Sequence, residues 1–170
     1  DTYITLRAMV WGAGTGRAPE HVRRHFKHTL SENIGLGETL TPSRIYDAHI
    51  HRSVLYDRMR VFLETYDVLA CAVVGLEPTL IEQEYPREVD GEPVADYVDW
   101  LRFSFLATTT ALPALSLPAG FTRSGMPVGI QLIGPPRGEA KLLAVAKAIE
   151  DAVGFRGRVP IDPKPAGRHG

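Results

Sequence analysis

Two apolar segments constrain what this chain can fold into more than any other feature. Residues 112–121 read Leu-Pro-Ala-Leu-Ser-Leu-Pro-Ala-Gly-Phe, and residues 125–134 read Gly-Met-Pro-Val-Gly-Ile-Gln-Leu-Ile-Gly. A polar turn at Thr122, Arg123, Ser124 and Gly125 joins them, and two short apolar runs around such a turn signal a β-hairpin. Neither run alternates apolar with polar residues. Both predicted strands therefore need cover on both faces, as in a sheet sandwiched between helices. Ala119, Gly120 and Gly129 permit close backbone approach near the strand ends.

The rest of the chain reads as cover and extension for this hairpin. Residues 3–11 are apolar, and their spacing does not decide their state. Gly12, Gly14 and Gly16 break the chain; without the spacing and preceding strand of a dinucleotide loop, they read as a hinge. Pro19 predicts a helix to about Leu30, with Val22, Phe26 and Leu30 on one stripe. Thr41 as N-cap and Pro42 as first residue announce a longer helix. Its predicted buried face carries Ile45, Ala48, Leu55, Met59, Phe62, Leu63 and Tyr66. Residues 68–74, closed by Gly75, read as a third doubly buried strand with Cys71 as a core thiol. Residues 77–93 form an acidic, proline-punctuated surface loop.

Pro93 is expected to start a third helix with Val94, Tyr97, Val98, Leu101 and Phe105 inward. Asp99 and Arg102, three apart, pair on its outside. Thr108, Thr109 and Thr110 fray it into the hairpin. Glu139 favours the positive end of a last helix, which bears Leu142, Leu143, Val145, Ala146, Ile149 and Val153 and stops at Gly154. The expected organisation is one α/β domain over residues 1–155, a mixed sheet between helix layers, and an extended tail over residues 156–170. Three strands make a narrow sheet with at least one open apolar edge, so further strands are expected from a missing amino-terminal portion or a partner chain. Self-association is the other way to cover them.

Composition excludes several classes. A net charge of -1 with interspersed signs offers no basic surface for nucleic acid or anionic membranes. No apolar run reaches spanning length. A single cysteine points to a reducing, cytoplasmic setting.

Candidate chemistry is sparse. Asp47, His49 and His51 fit a metal-binding Asp-x-His-x-His pattern, but they sit behind a helix cap, where residues two apart face different ways. His21, His25 and His28 fall on one face of the predicted helix, where Arg23, Arg24 and Lys27 disfavour a dication. No metal site and no cofactor are assigned. Nucleophilic catalysis needs a Ser, Cys or Thr beside a base. Ser116 on a buried strand, Ser124 in a turn and Cys71 in an apolar run have no base suggested by the sequence.

The strand at 112–121, the Gly-x-Pro-Val-Gly-x-Gln-Leu-Ile-Gly strand after it and the acidic-led helix that follows resemble the carboxyl end of the amidase signature family. The resemblance runs from about Asn33 to Phe155. It implies hydrolysis or transfer of an amide's acyl group through a Ser-Ser-Lys mechanism, acting on a small amide substrate. The Gly/Ser-rich segment that carries those serines does not occur here, and Lys27, Lys141, Lys147 and Lys164 read as surface or tail residues. No catalytic residue carries over, and the chain alone is expected to be inactive. The hairpin, Gln131 within it and the last helix carry over as structure. Two departures, at residues 71–75 and 108–111, fall where such enzymes shape the acyl pocket. By the same analogy the third helix lines a pocket wall, with Asp99, Trp100 and Phe103 facing substrate. The alternative is a non-catalytic, amidase-like module that scaffolds or regulates a partner chain.

Overall fold

A computed structural model describes residues 1–154, and the expected tail at 156–170 lies outside them. The undecided opening segment is a helix, α1 (Thr2–Ala13), with Thr5 and Ala8 buried. It packs along α3 (His28–Glu38) at backbone contact. A Cβ on Gly37 would lie 2.1 Å from the carbonyl oxygen of Ala8, so that crossing requires glycine.

The single helix expected from Pro19 to Leu30 is divided. One turn, α2 (Glu20–Arg23), ends before an extended Lys27, and α3 begins at His28. Arg23, Arg24 and Lys27 would crowd like charges on one helix with only Glu20 close by to offset them, which disfavours continuous winding. The break also removes the shared histidine face, and Val22 is exposed.

The helix announced by Thr41 forms as α4 (Pro42–Thr65), and the Thr41 hydroxyl accepts the N–H of Arg44 at 3.2 Å. Ala48 and Leu63 are buried, and Ile45, Leu55 and Met59 are half-buried. Phe62 and Tyr66, expected inward, instead stack on each other at 4.5 Å on the exposed side. Phe62 sits about 100° around the helix from Leu63, beyond the stripe that meets the sheet.

Three antiparallel strands follow, β1 (Leu69–Ala72), β4 (Ala114–Phe121) and β5 (Pro127–Ile133), in the order β1-β5-β4. The hairpin registers Leu115 with Leu132 and Leu117 with Ile130. On one face Ile133 packs with Leu63 of α4, Ala107 and Leu112. On the other, Leu132 packs with Leu142 and Ala146 of α6 (Glu139–Val153), which stops at Gly154 with φ 75°. The sheet thus lies between helices, as the α/β class requires. Double burial is confined to the carboxyl half of β5, however. Along β1 and β4 exposed and half-buried residues largely alternate, and Cys71 is only half-buried, because the helices cover these edge strands unevenly: Leu69 packs against the Leu63 cluster and Leu115 and Leu117 against the Leu132–Leu142 cluster, while their strand neighbours stay exposed.

The region expected as plain loop contains a small hairpin, β2 (Glu88–Val89) with β3 (Glu92–Pro93). Asp90 (φ 52°) and Gly91 (φ 81°) form its two-residue turn, the geometry that suits hairpin twist. Pro93 therefore ends an edge strand and does not open a helix. Helical structure starts later, as a 3-10 segment (Asp99–Ser104) running into α5 (Phe105–Thr110). The threonines do not fray α5: Thr109 and Thr110 are buried, and the Thr110 hydroxyl donates to Leu106 O at 2.7 Å. Among the described residues no helix is long and apolar enough to cross a membrane.

Gly37→Ala is expected to destabilise the α1–α3 contact by about 1–3 kcal/mol through overpacking. Gly35→Ala, on the same helix with nothing within 4 Å of its added Cβ, is expected to stabilise by about 0.5–1 kcal/mol. Urea denaturation of both variants checks the opposite signs.

Candidate functional site

Gln131 occupies the middle of β5 and is 9% exposed. A buried amide must find partners, and its Nε2 donates to Phe103 O at 3.2 Å and to Cys71 Sγ at 3.3 Å. One side chain thus ties the 3-10 segment to the central and edge strands. Ser104 adds a second tie, its hydroxyl donating to Val73 O at 3.0 Å just beyond β1. Gly75 then passes beneath the Phe103 ring, where a Cβ would approach Cε2 to 3.2 Å.

These ties bring the sequence-predicted residues to one cleft. Asp99, Trp100 and Phe103 line it with Leu76, Val89 and Val94. Its walls are mainly apolar, with the Asp99–Arg102 pair at one side. Arg102 Nε donates to Asp99 Oδ1 at 2.8 Å, and Ala95 N–H donates to Oδ2 at 3.2 Å. The Arg102 guanidinium first, and then the Ala95 amide, hold the Asp99 carboxyl below its usual range. Phe103 is half-exposed, whereas Trp100 is largely packed, edge-on to Tyr97 at 6.5 Å. The Trp100 indole N–H is buried without an acceptor among the described residues. A buried indole normally finds one.

A second cleft shares Gly75 and Leu76 and runs past Thr122, Met126 and Pro127. On its rim the Ser124 hydroxyl donates to Glu77 Oε2 at 2.9 Å. Sequence reasoning missed this pair because the partners lie 47 residues apart.

Among the described residues no lysine ammonium is hydrogen-bonded to a serine hydroxyl: Lys141 Nζ pairs with Asp67 at 2.8 Å, and Lys147 Nζ pairs with Asp151. His49 and His51 are exposed on α4, two residues apart, and no group of three or more metal-ligating side chains converges among the described residues.

The model of the amidase family matches residues 15–143. A glutamyl-tRNA(Gln) amidotransferase subunit from Chlorobium phaeobacteroides (strain BS1) is 35% identical over 130 residues, which are 74% of this chain and 26% of that protein. Fatty acid amide hydrolase of Oryza sativa subsp. indica is 32% identical over 116 residues, 68% of this chain and 19% of that protein. The chain thus spans about a quarter or less of these relatives. Among solved structures, a crystal structure of an amidase superposes with TM-score 0.77 at 22% identity, covering 89% of this chain and 34% of that one. A bacterial aryl acylamidase of the amidase signature enzymes superposes with TM-score 0.69 at 20% identity, covering 93% and 34%.

The Asp99 carboxyl titrates lower in the folded chain than in the unfolded one. Its contribution to stability is therefore present above the unfolded value of about 3.9 and is lost as pH falls through the lower folded value. The stability gap between wild type and Asp99→Asn is expected to shrink over that acid window. In Arg102→Ala the carboxyl should titrate nearer its ordinary value, as carboxyl NMR titration will report.

Proposed function

Because the chain belongs to the amidase signature family, we propose that it forms the carboxyl-terminal part of an amidase that cleaves carboxamide C–N bonds. The observation that carries this reading is the sheet. Its order β1-β5-β4 leaves β1 and β4 as edges, and in the matched amidase the same fold is about a third of a longer chain. Residues outside 1–170 then supply the missing strands and the Ser-Ser-Lys group.

In that mechanism the serine Oγ attacks the amide carbonyl carbon. Its proton passes through the bridging serine and lysine to the leaving nitrogen as the C–N bond breaks. Water then attacks the acyl-serine ester, releasing the carboxylic acid and restoring the serine. Residues 1–154 take no proton in these steps. Phe103 and Trp100 form an apolar wall that packs the substrate and displaces water. Asp99, held by Arg102, fixes the helical segment that carries both rings. The lining favours amides with an aromatic or alkyl body.

The test is a screen of aryl, alkyl and lactam amides on the full-length gene product and on residues 1–170. The longer polypeptide is expected to hydrolyse at least one class, and the short chain none. Phe103→Ala should raise KM for aryl amides about tenfold while changing that for acetamide little, given the size of one lost aromatic contact. Turnover by residues 1–170 alone would overturn the reading.

A further inference from the structure

Three arginines among the described residues are half-buried: Arg7, Arg52 and Arg60. Arg60 lies between two carboxylates, Asp57 and Glu64. Arg7 and Arg52 differ. Neither has a carboxylate within ion-pair reach among the described residues, and both line one groove between α1, α4 and α5, with Tyr3, Leu6, Val10 and Trp11.

The partners of both guanidiniums are neutral. Arg7 Nε donates to Asn33 Oδ1 at 3.3 Å and Nη1 to Tyr3 OH at 3.2 Å, while the group lies 5.7 Å from the Trp11 ring centroid. Arg52 Nε donates to Thr109 O at 2.9 Å, a carbonyl in the last turn of α5. A guanidinium carries five N–H donors in a planar fork. These bonds fix both side chains and leave donors free on each. Two fixed cations lining one groove repel, and an anion between them removes that cost. The remaining lining is mainly apolar, and the Tyr3 ring is held by stacking on Phe105 at 3.8 Å.

We propose that this groove binds an organic monocarboxylate with an aromatic or alkyl body, its carboxylate taken by Arg7 and Arg52 and its body laid along Tyr3, Leu6, Val10 and Trp11. Planar carboxylate matches the guanidinium fork, which a compact ammonium does not offer. The occupant has two sources, a separate acid or the acid end of an amide substrate. Thr108, which also lines the groove, belongs to the α5 that continues from the segment carrying Phe103. The substrate source rests on the amidase reading; the groove itself does not.

The experiment is calorimetric titration of the full-length protein with 4-phenylbutyrate and with 4-phenylbutan-1-ol, which has the same body and no charge. Saturable binding of the acid is expected, with the alcohol about ten- to a hundredfold weaker, the span of a lost charge-assisted contact. Arg7→Met and Arg52→Met, which keep the apolar stem, should each weaken the acid at least about tenfold and leave the alcohol unchanged. Arg44→Met, exposed at the start of α4, should change neither. Competitive inhibition of amide hydrolysis by the acid, lost in Arg7→Met, assigns the groove to the substrate; binding without any effect on turnover assigns it to a separate acid. Binding without any amidase activity would sink the proposed function and leave the groove standing. The groove proposal is overturned if wild type shows no saturable binding of the acid or binds the alcohol equally well. Unchanged affinity in both methionine variants, shown folded by circular dichroism, also overturns it.

Discussion

The structure depends on burying the end of β5 from both sides. Leu132 and Ile133 are fully buried, although successive strand residues point to opposite faces of the sheet. Each therefore demands its own helical layer. Ile133 draws in α4 and α5 through Leu63, Ala107 and Leu112, while Leu132 draws in α6 through Leu142 and Ala146. Side chains of this size stabilise by about 1.5–3 kcal/mol each when fully buried.

Gln131 precedes this pair and shows how an apolar core accepts a polar group. Its amide converts burial into a positional constraint by bonding Phe103 O and Cys71 Sγ. An unpaired amide there would cost about 1–3 kcal/mol, so the 3-10 segment is held wherever Gln131 can reach its carbonyl. The cleft containing Asp99, Trp100 and Phe103 is in this sense a product of the sheet. Its shape is set from beneath by Gln131, Ser104 and the missing side chain of Gly75.

Local chemistry makes part of this legible from sequence. The Thr-Pro cap places α4, the glycine stop places the end of α6, and the turn at residues 122–125 places the β4–β5 hairpin. Sequence and structure part where a local cue meets a non-local competitor. Pro19 opens one turn, and the cluster of bases after it does not extend that turn into a helix. Pro93 looks like a helix start, yet the φ > 0 pair Asp90 and Gly91 pulls it into a hairpin. Apolar continuity in residues 68–74 and 112–121 suggests double burial, whereas edge strands in this chain are covered unevenly. The candidate cleft residues are reached through resemblance to a family. Arg7 and Arg52 escape such a reading, because the contacts that set them in the groove, Asn33 and Thr109, lie 26 and 57 residues away.

The two sheet edges and the Trp100 indole lead to the same conclusion by separate routes. Among the described residues, polar backbone on β1 and β4 faces away from β5 at both margins, and open edges of this kind are normally paired or covered. The indole N–H is a buried donor without an acceptor among the described residues, and buried donors are rarely left so. Exposed Ile50, Val54 and Val61 add an apolar stripe along α4. Edge, donor and stripe involve different forces, namely backbone hydrogen bonding, side-chain hydrogen bonding and the hydrophobic effect. Each is unsatisfied among the described residues, and under the proposed amidase reading a longer polypeptide packed against them would satisfy all three together. That convergence is the physical counterpart of a chain that spans about a quarter of its amidotransferase relatives.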